Sequence, residues 1–127
     1  MTKALRTSWK TKALPKERER INLSLEFSRE ESEILERGRV PIDMDNRWFV
    51  YSDDDKLHLH RSWTGNCIYI AHLVRSEDVI SIKDVWVNMD REQYTSPGIE
   101  KEPEIFENLI NSMFFPARLD PGERIFP

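Results

Sequence analysis

Apolar and polar residues alternate at the start of the chain's ordered-looking portion. Ile21, Leu23, Leu25 and Phe27 are separated by Asn22, Ser24 and Glu26. A period of two puts the apolar side chains on one face, which predicts a short strand. Ser28 follows, with Glu31 three residues later. This is the spacing of a capping box, in which the serine accepts from the amide of the third helical residue and the glutamate reaches back. The helix it opens is expected to run to about Arg37. Gly38 then supplies a residue free to leave the helix with positive φ. Ile34 and Leu35 are its main apolar content, so the helix is expected on the surface.

The densest strand signals come next. Arg47–Tyr51, Lys56–Trp63, Cys67–Val74 and Val79–Asn88 are separated by turn-forming residues at Asp53–Asp55, Gly65-Asn66 and Arg75–Asp78. They predict a four-stranded antiparallel meander. With two-residue loops at Asp54-Asp55 and Gly65-Asn66, one face holds Trp48, Val50, Leu57, Leu59, Arg61, Trp63, Ile68, Ile70, His72 and Val74. The other holds Phe49, Tyr51, His58, His60, Ser62, Thr64, Cys67, Tyr69, Ala71 and Leu73. A slip of one residue exchanges these sets in the strand that slips. Ser96-Pro97-Gly98 marks a loop, and Pro103 suits the first turn of a helix. Ile105, Phe106, Leu109, Ile110, Met113 and Phe114 recur at helical spacing up to Pro116. The expected fold is therefore α+β: a four-stranded antiparallel meander packed on a C-terminal amphipathic helix, with a short N-terminal strand-helix unit.

Length and charge refine this picture. A chain of 127 residues, 39% hydrophobic and 33% charged, matches one globular domain. Residues 1–20 carry seven basic and two acidic side chains, a net +5 that leaves −9 on the remainder. We read residues 1–20 as a basic arm and 21–127 as a single α+β domain. The arm lacks apolar periodicity, so removing residues 1–19 is expected to leave the melting temperature nearly unchanged. It is either solvated or docked on the acidic body, and could serve a protein partner. Nucleic acid is disfavoured, because no aromatic ladder or helix-turn-helix spacing accompanies the charge. No apolar run approaches membrane-spanning length and no secretory signal is evident. Cys67 is the single cysteine, so no internal disulfide forms, and we expect a cytoplasmic protein.

Candidate chemistry concentrates at His60-Arg61-Ser62-Trp63-Thr64. Arginine presents a planar fork of donors matched to phosphate oxygens. Hydroxyls add short hydrogen bonds, and Trp48, Trp63 or Tyr69 offers a face on which a base can stack. The competing structural account is an arginine held between Trp48 and Trp63 by cation–π contact alone. His58, His60 and Cys67 share a face, but zinc needs a third protein donor, and Cys67 or Asp84 could supply one only in a favourable register. No metal and no cofactor is therefore assigned. Asp53–Asp55 lacks the calcium-loop pattern.

The tract Trp48-Phe49-Val50-Tyr51, Leu57–Gly65 and Cys67-Ile68-Tyr69 resembles a group of small bacterial proteins of unassigned activity. Their tract reads W-F-x-Y, an acidic turn, then L-x-x-H-R-S-W-T-G-x-C-I-Y. It is also similar to segments associated with ADP-ribosylglycohydrolase-like proteins. The resemblance spans about residues 41–75, and His58 departs from it, since the group often has an aromatic residue there. It implies a bacterial or phage setting and a link to nucleotide or ADP-ribose metabolism. Three functions are in view: a module binding a phosphorylated ligand through His60, Arg61, Ser62, Trp63, Thr64, Trp48 and Tyr69; a protein-interaction module such as an antitoxin, inhibitor or accessory subunit; and an enzyme on ADP-ribose-type substrates with His60 as acid–base.

Overall fold

The computed structural model describes residues 3–43 and 46–119. Five strands form one antiparallel sheet: β1 (Arg18–Glu26), β2 (Trp48–Asp53), β3 (Lys56–Arg61), β4 (Cys67–Ser76) and β5 (Val79–Asn88). Their spatial order is β1-β5-β4-β3-β2, so the meander β2–β5 gains β1 as a further edge strand beside β5. The N-terminal strand is thus part of the sheet rather than of a separate unit packed against it. Two helices, α1 (Arg29–Arg37) and α2 (Glu102–Phe114), complete the α+β fold. No helix among the described residues is long and apolar enough to cross a membrane.

Local signals explain most element boundaries. The Ser28 hydroxyl accepts from the Glu31 amide at 3.1 Å, and the Glu31 carboxylate accepts from the Ser28 amide at 2.9 Å. Arg118 pairs with the same carboxylate and lies over the rings of Phe27 and Phe115, tying the start of α1 to the chain beyond α2. The backbone bond from Ser28, with help from Arg118, holds the Glu31 carboxyl below its usual range. Asp54, at φ 53°, makes the tight β2–β3 turn, and Trp48 and Arg61 become direct cross-strand partners as expected.

The next strand departs from expectation. The β3–β4 connection uses five residues, Ser62 to Asn66, rather than two. Ile68 then lies in a bulge between the pairs Leu59↔Tyr69 and His60↔Cys67. Together these reverse the facing of most of β4. Tyr69 and Ala71 now lie beside Leu59 and Leu57, while Ile70 and His72 pair with His58 and Lys56 on the opposite side. Cys67 remains with His60.

One face of the sheet carries the main core. Ile21, Leu25, Val50, Leu57, Leu59, Tyr69, Val85 and Val87 pack there with Leu35 of α1 and Phe106, Leu109 and Ile110 of α2. On the other face Phe49 and Tyr51 pack with Ala4. The basic N-terminal segment crosses this second face. Its amide at Ala4 donates to Arg37 O (2.7 Å), Lys12 N to Gly65 O (2.8 Å), and Met89 N donates to Glu17 O (2.8 Å). Trp9 Nε1 donates to Ser62 O at 2.7 Å. Ala4 and Leu14 are buried. Of the two alternatives for the arm, its backbone follows the docked one, and the packing comes from isolated apolar residues that no periodicity announces.

Candidate functional site

The open end of the β2–β3–β4 meander, where α2 and the 89–101 connection pass over the helix-side face, gathers most of the expected residues. Arg61 lies with its guanidinium carbon 4.5 Å from the centre of the Trp48 ring. The Tyr69 ring stands 6.2 Å from Trp48 and meets Phe106 edge-on at 5.3 Å. A cleft of about 240 Å³ opens between Trp48, Arg61, Tyr69, Tyr94 and Leu109. A second, of about 440 Å³, is lined by Arg47, Arg61, Trp63, Thr64 and Gln93. Arg61 borders both.

The floor of the first cleft is a buried polar cluster. Glu102, fully buried, accepts from Tyr69 Oη at 2.7 Å, from Tyr94 Oη at 2.9 Å and from the Ser96 hydroxyl. A buried carboxylate persists only when its lone pairs are met by donors, and three hydroxyls meet them here. Burial, with the Glu102 carboxylate beside both, raises the Tyr69 phenol far above its ordinary value and Tyr94 to about 12. Both are therefore hydrogen-bond donors at any physiological pH. Trp48 Nε1 is buried and finds no partner among the described residues.

Glu102→Gln keeps the volume but turns one acceptor into a donor facing hydroxyls. We expect a loss of about 1.5 kcal/mol in urea unfolding, the scale of one hydrogen bond to a charged group. A change below about 0.5 kcal/mol would show that the hydroxyls do not depend on the carboxylate.

Arg47 and Arg61 make the site cationic. Neither pairs with a carboxylate among the described residues. Burial lowers the Arg61 pKa from its ordinary value, and the like charge of Arg47 lowers it further. Two guanidiniums with no ion-pair partner among the described residues, one of them partly desolvated, favour an anion beside them.

The remaining expected residues are elsewhere or otherwise engaged. Trp63 lies beyond the end of β3 and is 61% exposed. The Thr64 hydroxyl accepts from Asn66 N at 3.1 Å. Ser62 is buried and donates to Asn46 O at 2.7 Å. His60 is on the opposite face, buried against Phe49 and Tyr51, with Nδ1 2.8 Å from Gly65 O. The loop that makes this contact turns at Gly65, whose φ of +81° suits glycine. Burial lowers the pKa of both His58, to about 4, and His60, so both rings are neutral at physiological pH.

Arg47, Gln93, Tyr94, Glu102 and Leu109 join the site without having been singled out in the sequence. Leu109 belongs to the helical apolar stripe and reads as core. Tyr94 lies in a polar stretch, and nothing in its neighbours announces that it folds over Tyr69. A further cleft, about 490 Å³ between α1 and the β4–β5 turn, is lined in large part by charges already paired as Arg29–Asp78 and Arg75–Glu36. No known protein family, curated protein or solved structure matches this chain.

Proposed function

We propose that the protein binds a small phosphorylated ligand with a planar ring, of the nucleotide or ADP-ribose class, across the two clefts that meet at Arg61. The observation that carries this reading is the position of Arg61 between a mostly apolar bay and a second cleft lined by Arg47, Trp63, Thr64 and Gln93, with Arg47 as a second cation. A base suits the bay beside Trp48, Tyr69 and Leu109, and a phosphate suits the two guanidiniums. The clefts together fall within the roughly 300–1,000 Å³ usual for ligand pockets. His60 and Ser62 take no part, because His60 is buried on the opposite face with Nδ1 against Gly65 O and the Ser62 hydroxyl is bonded to Asn46 O. The protein-interaction alternative draws less support, since the arm's backbone is committed to the body at Arg37, Gly65 and Met89.

The test is calorimetric titration with AMP, ADP and ADP-ribose against wild type and Arg61→Met. Methionine keeps apolar volume over Trp48 but removes the fork and the charge. Affinity is expected to fall by roughly 1.5–3 kcal/mol, about 10- to 150-fold. Stability should fall by only about 1 kcal/mol, the lost cation–π contact. Equal affinity in the two proteins, or no binding of any of these ligands to wild type, rejects the reading.

A further inference from the structure

The side chains of His58, His60 and Cys67 converge on the face opposite the clefts. One donor atom from each lies within 4.8 Å of the other two. β3 places His58 and His60 on the same side by their spacing of two, and the Ile68 bulge brings Cys67 opposite His60. The two imidazoles are held by different means. His58 stacks on Tyr51 with ring centres 4.5 Å apart and planes 3° from parallel. His60, only 2% exposed, places Nδ1 2.8 Å from the Gly65 carbonyl. That contact makes Nδ1 the protonated nitrogen and leaves Nε2 with a lone pair. Nε2 is buried and finds no hydrogen-bond partner among the described residues.

An orphaned, buried acceptor is expensive for a protein to keep. Metal-binding histidines have the arrangement seen here: one ring nitrogen donates to a carbonyl or carboxylate, and the other is free for the ion. We propose that His58, His60 and Cys67 bind a zinc-class divalent cation through two imidazole nitrogens and one thiolate, with the fourth position left to water. Two nitrogens and a sulfur select zinc and its neighbours over magnesium or calcium, which take oxygen donors. A tetrahedral zinc with bonds of roughly 2.0–2.3 Å sets its donors about 3.3–3.7 Å apart. The three donor atoms, all within 4.8 Å of one another, lie near this spacing, and the half-buried His58 provides the entry side. Binding converts the Cys67 thiol to a thiolate, and its proton passes to solvent.

The assignment is independent of the ligand reading, because the two sites occupy opposite faces of the sheet. The test is titration of the full-length, reduced, chelator-treated protein with Co²⁺ as a spectroscopic stand-in for Zn²⁺. We expect saturation at one equivalent, a thiolate-to-cobalt charge-transfer band and its loss on adding Zn²⁺. His58→Phe keeps a ring on Tyr51 and removes one donor, so it should weaken cobalt binding at least tenfold. His72→Ala, which alters a histidine outside the cluster, should leave it unchanged. His58→Gln serves as the second variant if the phenylalanine disturbs folding by circular dichroism. Absence of the band in folded wild type overturns the proposal. So does cobalt affinity that is unaltered in a folded His58 variant, or lowered equally by His72→Ala.

Discussion

Gly38→Ala is expected to remove about 4 kcal/mol of folding free energy, the largest single-residue effect anticipated for this protein. Gly38 ends α1 with φ 70° and ψ −157°, a region almost closed to residues with a side chain. A β-carbon there would lie 2.2 Å from the Val50 carbonyl oxygen and 3.1 Å from the side chain of Ala4. The first obstacle is backbone in the middle of β2, so it cannot rotate away. Relief requires parting Arg39 from Val50, whose amides and carbonyls exchange bonds of 2.8 and 2.9 Å. Strain of roughly 1–3 kcal/mol and two weakened backbone bonds of about 1 kcal/mol each add to the expected loss. Domains of this kind have about 5–15 kcal/mol in total. The denaturation midpoint should therefore fall by roughly a quarter or more, with the slope unchanged. A midpoint within experimental error of wild type would mean that the α1–β2 connection can relax, contrary to this packing.

Removing residues 1–14 is expected to lower stability by roughly 3 kcal/mol, a fall in melting temperature on the order of 10 °C for a domain of this size. The segment has no amphipathic period, and charge alone argues that it can be spared. Its contacts argue otherwise. Leu14 and Ala4 lose burial, the bonds at Arg37, Gly65 and Ser62 are broken, and Phe49 and Tyr51 lose part of their cover. Burying a leucine is worth about 2 kcal/mol, and each hydrogen bond about 1 kcal/mol. Re-exposure of the aromatic pair adds to this, while the freed conformational entropy of the segment offsets part of it. Thermal unfolding followed by circular dichroism decides the matter. A truncated protein melting within about 2 °C of the full chain would show that the segment only rests on the sheet. High salt separates the contributions further: if charge held the arm, 1 M salt should reproduce much of the loss, whereas buried contacts are little affected.

The sequence by itself determined those features whose causes are local. Ser28 and Glu31 cap α1 within four residues of chain. The bounds of β5 follow from the alternation of Val79–Asn88, and α2 follows from its apolar stripe. The Asp54-Asp55 turn sets the pairing of Trp48 with Arg61, because a two-residue loop leaves no freedom of register. The cationic Arg61 and its aromatic neighbour were legible for that reason.

Tertiary structure decided the rest, because each such feature depends on residues far apart in the chain. The facing of β4 turns on one bulged residue, Ile68, and a five-residue loop held by Trp9 and Lys12 from the N-terminal segment. Parity carries that single change along the strand, placing Tyr69 beside Trp48 and leaving His60 with Cys67 on the other side. β1 pairs with β5 across about half the length of the chain, a contact that no period within β1 encodes. Glu102 and Tyr94 meet Tyr69 only because α2 docks on the helix-side face. Local periodicity reports which side chains share a face. It does not report which elements cover that face, since this is selected by burial and hydrogen-bond satisfaction over the whole fold.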